Sequence, residues 1–330
     1  MSLSDVKALT FDTGGTILDW HSGFRDALAA AGARHGIERD WPALANELRR
    51  RGLKAMLNLG EHEPPGYNFD DAHRFSLEAI AQENGLDAFT EEDFHAIAWD
   101  AAHNFECWPD FPAVQPKLRA RYLVCSFTIL SYRLILDTAK RNGLSWDAVF
   151  SCEGIGKYKL LPEAYLTVAA RLQLEPGECL MVACHNFDLD AARAVGFRTA
   201  FVRRADEWGP EGPPDPDPNP ACDIAVDSFP ELAEALGVKV GTPFAIRRLP
   251  SRNTRCRHPT DRSLDRHSDR PQTPRRHSDR AKRVEESRLE PDDRNRSLAT
   301  RFLHSAARWA APVGMTGKVC GSSVRAGMTG

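Results

Sequence analysis

The amino-acid sequence predicts an α/β fold: a doubly wound parallel sheet with an inserted helical cap and a disordered C-terminal tail. Three observations carry that expectation. Short apolar runs alternate with helical stretches through the second half of residues 1–240, as in a parallel sheet covered on both faces. Several of these runs end in polar words, namely Asp12-Thr13-Gly14-Gly15-Thr16, Cys125-Ser126-Phe127 and His185-Asn186-Phe187-Asp188, with Tyr158-Lys159 between the last two. Finally, the composition changes abruptly after Leu236-Gly237-Val238, where a complete fold would end.

Taken in order, Val6 to Phe11 reads as a buried strand that ends in Asp12 and two glycines, so the chain turns sharply just as a carboxylate is presented. Ligands bind at the carboxyl ends of strands in such a sheet, and an Asp there is a candidate nucleophile. By itself a strand-end Asp before glycines is more often a turn former; the companion words reverse that balance. Beyond Trp20, apolar periodicity predicts helices near 22–35, 42–58, 69–84 and 90–104, broken by Pro64-Pro65-Gly66. Trp108-Pro109-Asp110-Phe111-Pro112 brings the chain back. There follow helix 112–120, strand 121–126, helix 131–142, strand 147–151, helix 162–172, strand 179–184, helix 187–195, strand 198–202, a Pro-rich loop 209–220, strand 223–226 and helix 228–236. The expected domains are a core of 1–19 and 106–240, a cap of 20–105 and a tail of 241–330. Trp20, Phe69, Phe105 and Trp108 are candidates to line the cleft between cap and core.

With 330 residues and 42% hydrophobic content the chain can bury one large or two modest cores. No apolar run approaches the length of a membrane span, and no basic-then-apolar segment opens the chain, so a cytoplasmic protein is expected. The eight cysteines are scattered without a C-x-x-C pair, which argues for reduced thiols rather than a disulfide framework or structural zinc. The net charge of −3 hides an asymmetry, because residues 241–330 hold 20 Lys+Arg against 9 Asp+Glu. That segment repeats Arg-His-Ser-Asp-Arg at 266–270 and 276–280 and has too few apolar groups to offset the entropy of ordering. It reads as a read-through or frame-altered extension, with a nucleic-acid-binding arm as the alternative.

In their order and spacing these words resemble the haloacid dehalogenase superfamily over residues 5–238, most closely its type II 2-haloacid dehalogenases, which implies a Rossmann-like core. The resemblance implies Asp12 as a nucleophile that forms an ester with substrate, Lys159 as the cation that keeps it ionised, and Asp188 as the carboxylate that positions lysine and water. It implies Ser126 as a contact of the substrate carboxylate and Tyr165 as a residue close to the site. Thr13, Phe127 and His185 share the same words and complete the substrate-binding set. Phosphatases similar to this chain carry a second Asp where it has Gly14, and an acidic partner where it has Cys184, a poor ligand for a hard cation. Metal-independent chemistry without a cofactor is therefore expected.

The chain departs from the dehalogenase pattern at Gly14, where an aromatic is usual, at Phe127 and His185, where Asn is usual, and at Leu160-Leu161, where Pro-Asp is usual. The halide-contacting Arg aligns with Asn46, and Arg49 or Arg50 on the next turn of the same helix can supply the cation instead. The expected activity is replacement of halide by hydroxyl on a small 2-halo-carboxylate. The alternatives are a Mg²⁺-dependent phosphatase of a small phosphate ester, or a catalytically silent protein that binds a ligand on the same fold. The expected partner is the halo-carboxylate itself, not a membrane or nucleic acid, with a homodimer left open.

Overall fold

Residues 8 to 11 are buried without exception because the strand they form, β1 (Ala8–Phe11), runs through the middle of a parallel sheet and is covered on both faces. The computed structural model describes residues 3–57 and 66–239; the basic segment 241–330 and its expected disorder lie outside the described residues. Five more strands complete the sheet: β2 (Leu123–Thr128), β3 (Ala148–Ser151), β4 (Cys179–Ala183), β5 (Arg198–Val202) and β6 (Ile224–Val226), in the order β3-β2-β1-β4-β5-β6. All pairings are parallel. The register sets Phe11 opposite both Ser126 and Val182, so the residues that follow them emerge at one edge. After β3 the chain crosses to the other side of β1. The connections diverge there, and such a switch point opens a crevice at the carboxyl ends of the strands.

Between β1 and β2 lies the helical insertion. Helix α1 (Trp20–His35) starts on Asp19, whose carboxylate accepts from Ser22 N–H, and stops on Gly36 in the left-handed region. Helix α2 (Trp41–Leu57) packs between α1 and α3 (Phe69–Glu83), the latter opened by a capping box of Asn68 and Asp71. The helix predicted over 90–104 begins as α4 (Glu91–His95) but continues as a π-helical stretch over Ala96–Ala101. Apolar spacing cannot reveal one widened turn. In the core, α5 is only Gln115–Arg119, because Pro116 sits in its first turn and turns precede it. Strand β2 begins two residues later than predicted and runs on to Thr128, which places Phe127 inside the sheet. Helices α6 (Tyr132–Arg141), α8 (Pro162–Leu172), α9 (Asn186–Ala194) and α10 (Phe229–Ala235) fall within a residue or two of expectation, and a one-turn helix α7 (Cys152–Ile155) was not foreseen. No helix among the described residues is long and apolar enough to cross a membrane.

One face of β1 packs Phe11 against Phe111 and Phe229, with ring centroids 5.4 and 5.9 Å away. The insertion is tied to the core by a buried polar bridge. The Ser131 hydroxyl, which also caps α6, donates to Asp70 Oδ2 on α3 at 2.6 Å. His103, at the end of the insertion, lies 2.9 Å from Asp137 on α6 and 3.6 Å from Asp70. Burial alone would lower the His103 pKa, but the two carboxylates outweigh it and raise it.

A folded pKa above the unfolded value of about 6.5 means that this bridge stabilises fully below that pH and is lost as pH rises through the folded pKa. The melting-temperature gap between the native protein and His103→Gln is therefore expected to narrow as pH rises above about 6.5. A gap that stays constant or widens over that range would contradict the bridge.

Candidate active site

The end of β1 delivers Asp12 to the crevice, with its backbone N–H bonded to Val182 O at 2.9 Å. Its carboxylate meets the Lys159 ammonium from the loop before α8, with Nζ 2.7 Å from Asp12 Oδ1 and 2.7 Å from Asp188 Oδ2 in the first turn of α9. All three side chains are buried. The Tyr165 hydroxyl donates to the other Asp188 oxygen at 2.6 Å, and the Phe127 ring lies 5.1 Å beneath the ammonium. Burial pushes both carboxyls up. At Asp12 the Lys159 charge and the His185 contact outweigh it and hold the group well below the ordinary carboxylate range. Asp188 stays raised, because burial and the Asp12 charge exceed the help it draws from Lys159 and Tyr165. Burial opposes the Lys159 charge too, yet the paired anions raise its pKa. An ionised, anchored carboxylate is the state a nucleophile needs.

The two glycines after Asp12 do more than turn the chain. A Cβ on Gly14 would lie 2.9 Å from Arg49 Nη2, and one on Gly15, at φ +93°, would lie 2.0 Å from Glu207 Oε1. Their missing side chains admit two buried charged groups. Arg49 lies over the rings of Trp20 and Phe69 at 5.4 and 5.5 Å, and its Nη2 donates to Gly14 O at 3.2 Å. Its Nε–H has no hydrogen-bond partner among the described residues. Glu207, in the loop after β5, accepts from Trp20 Nε1 at 3.0 Å and lies 3.0 Å from His185 Nε2. The other ring nitrogen, His185 Nδ1, is 3.2 Å from Asp12 Oδ2, which also accepts from the Thr16 hydroxyl at 2.8 Å. Burial would discharge His185, but its acidic neighbours, Cys184, Glu207 and Asp12, raise its pKa well above the usual value. Burial likewise pushes Glu207 up, and His185, Trp20 and Arg49 together bring it below its ordinary value.

A cavity over this centre is lined by Asp12, Gly14, Arg49, Lys159, His185 and Asp188 on its polar side, and by Leu53, Leu57, Thr128, Ile129, Leu130 and Phe187. Five of the residues singled out from sequence thus share one cavity: Asp12, Lys159, Asp188, Arg49 and His185. Thr13, Ser126, Phe127 and Tyr165 do not line it. The Thr13 and Ser126 hydroxyls bond to each other at 2.8 Å, and both residues are buried. Asn46 does not line the cavity. Its amide donates to Trp208 O at 3.1 Å and Glu211 Oε2 at 2.8 Å, and Arg50 also pairs with Glu211 while stacking on Trp208. Both side chains face the loop after β5, so of the arginine run only Arg49 turns inward to the cavity. Glu207 and Thr16 were missed from the sequence. Glu207 belongs to no word, and its one signal is its place in a loop after a strand, at the edge where the other polar words gather. Among the described residues Cys184, His185 and Glu207 are grouped closely enough to hold a metal ion.

Comparison with known proteins points to one family. The family of haloacid dehalogenase-like hydrolases matches residues 6–196. (S)-2-Haloacid dehalogenase 1 of Pseudomonas sp. (strain CBS-3) is 24% identical over 208 residues, 61% of this chain and 86% of the relative, and the (S)-2-haloacid dehalogenase of Xanthobacter autotrophicus is 27% identical over 205 residues, 60% and 76%. Among solved structures, a defluorinating L-2-haloacid dehalogenase is 35% identical with a TM-score of 0.66, covering 70% of this chain and 95% of its own. A second L-2-haloacid dehalogenase is 32% identical at the same TM-score, covering 71% and 100%. With its parallel sheet, its strand-end aspartate and these relatives together, the chain belongs to the haloacid dehalogenase-like hydrolases.

Proposed function

We propose that this protein is a 2-haloacid dehalogenase that replaces halide by hydroxyl on a small 2-halo-carboxylate through an ester on Asp12. The observation that carries this reading is the Asp12 carboxylate pinned by Lys159 at a cavity that the Arg49 guanidinium also lines. Helices of residues 20–105 would act as the cap over a core of 1–19 and 106–240. In the first step the Asp12 carboxylate attacks the carbon bearing the halogen, forming a C–O bond as the C–X bond breaks and halide leaves. Expelling an anion inside protein carries a desolvation cost of several kcal/mol, and Arg49, with a free N–H and two aromatic neighbours, is the group placed to offset it.

Water then attacks the Asp12 carbonyl, releasing the 2-hydroxy acid. His185 is positioned as the base for this step, with Glu207 behind it in the manner of an orienting carboxylate. Esterification removes the negative charge on Asp12 that the Nδ1 proton of His185 faces, so that proton passes to solvent as the ester forms, and the neutral imidazole, still held through Nε2 by Glu207, takes a proton from the attacking water. Lys159 and Asp188 hold the acyl carboxyl in place meanwhile. A Mg²⁺-dependent phosphatase is less well served, since Asp12 and Asp188 commit oxygens to Lys159, Thr16 and Tyr165, and Cys184 offers sulfur where a hard cation wants oxygen.

Three outcomes are expected. Asp12→Asn should abolish turnover without unfolding the protein, and a single turnover in ¹⁸O-water should place label in the Asp12 carboxylate; label found in product alone would rule out the ester. Glu207→Gln should slow ester hydrolysis by roughly 10²-fold or more, so that mass spectrometry of a quenched reaction finds Asp12 carrying the substrate's carboxyalkyl mass. Arg49→Ala should lower turnover of a chlorinated substrate by at least roughly tenfold, on the order of 1.4 kcal/mol, and Arg49→Lys should not restore it, because a compact ammonium cannot replace the planar guanidinium that lies over the two rings.

A further inference from the structure

The loops after β4 and β5 bring a thiol, an imidazole and a carboxylate to one buried point. Cys184 Sγ is 3.4 Å from His185 Nε2 and 3.5 Å from Glu207 Oε2, and His185 Nε2 is 3.0 Å from Glu207 Oε1. A tetrahedral zinc site with Zn–S bonds of about 2.3 Å and Zn–N or Zn–O bonds of about 2.0–2.1 Å has ligand-to-ligand edges of roughly 3.3–3.6 Å. The three atoms therefore need to shift by only a few tenths of an ångström. The neighbours that orient a metal's ligands are also present. Trp20 Nε1 donates to Glu207 at 3.0 Å, Cys184 N–H donates to Thr16 Oγ1 at 3.0 Å, and Asp12 Oδ2 faces His185 Nδ1 at 3.2 Å.

We propose that Cys184, His185 and Glu207 form a binding site for a borderline or soft divalent cation, Zn²⁺ or Cd²⁺. A thiolate with an imidazole selects such ions over Mg²⁺ and Ca²⁺, which want oxygen. On binding, the Cys184 thiol proton and the proton shared by His185 and Glu207 pass to solvent, and Sγ, Nε2 and a carboxylate oxygen each donate a lone pair. No electron is transferred. Thiolate and carboxylate then carry two negative charges, matched by the divalent cation, while Asp12 and Asp188 remain opposed by Lys159 and Arg49. Occupation would take His185 away from the hydrolytic step, so the cation would inhibit; that consequence alone rests on the dehalogenase reading, and binding does not.

The test titrates the full chain with Cd²⁺ and follows the ultraviolet thiolate-to-cadmium charge-transfer band. A tight phase of one equivalent is expected, displaced by Zn²⁺ but not by Mg²⁺, absent in Cys184→Ser, unchanged in Cys107→Ser and weakened at least roughly tenfold in Glu207→Gln, since removing a ligand should cost no less than removing one of its supports. Persistence of the phase in Cys184→Ser, or unaltered affinity in Glu207→Gln, would overturn the site. Should either variant fail to fold, cadmium NMR of the unmodified chain decides: a resonance bearing a single thiolate and an imidazole supports the proposal, and its absence ends it. Because these readouts are spectroscopic, a protein that shows no dehalogenase activity in the absence of Cd²⁺, yet binds Cd²⁺ in this way, would count against the dehalogenase reading and not against the site.

Discussion

Everything at the sheet's carboxyl edge depends on one buried cation shared by two buried carboxylates. Lys159 lies 2.7 Å from both Asp12 and Asp188, and each of the three charges would be costly without the others. Breaking such a buried set by removing one partner typically costs about 3–5 kcal/mol, because an uncompensated charge is left behind. The ends of β1 and β4 and the loop before α8 must therefore arrive together. Tyr165 and Phe127 belong to the same constraint, one bonding the second oxygen of Asp188 and the other underlying the ammonium. The burden falls unequally on the two carboxyls: Asp12 is held well below the ordinary carboxylate range while Asp188 is pushed up.

The departures from the dehalogenase pattern form one rearrangement. With no side chain at Gly14, Arg49 can reach the strand-end turn; with none at Gly15, Glu207 can stand beside the same turn. Glu207 in turn accounts for an imidazole at 185, which it holds from one side while Asp12 holds it from the other. Asn46, released from contact with the cavity, joins α2 to the loop that carries Glu207 through Trp208 and Glu211. A guanidinium, a carboxyl and an imidazole thus enter together, and each occupies space or satisfies a polar group that the others require.

The α/β class, the alternation of elements and the order of the polar words along the chain were legible because each is a local property. Buried parallel strands are continuous apolar runs, and a strand-end Asp before glycines is visible within six residues. The π-helical stretch at Ala96–Ala101 was not legible, since its neighbours keep helical spacing. Nor was the starting residue of β2, which depends on pairing with β1 and β3.

By itself, then, the sequence determined the fold class, the nucleophile candidate and its lysine and aspartate companions, all of which sit in words that follow strands. Only the tertiary structure decided which arginine of Arg49-Arg50-Arg51 turns inward, that Asn46 turns away, that Ser126 bonds to Thr13, and that Glu207 stands behind His185. The reason is physical. A helix face is set by the neighbours it packs against, and a contact between the loops after β1, β4 and β5 exists only once the sheet order has brought their ends to one edge.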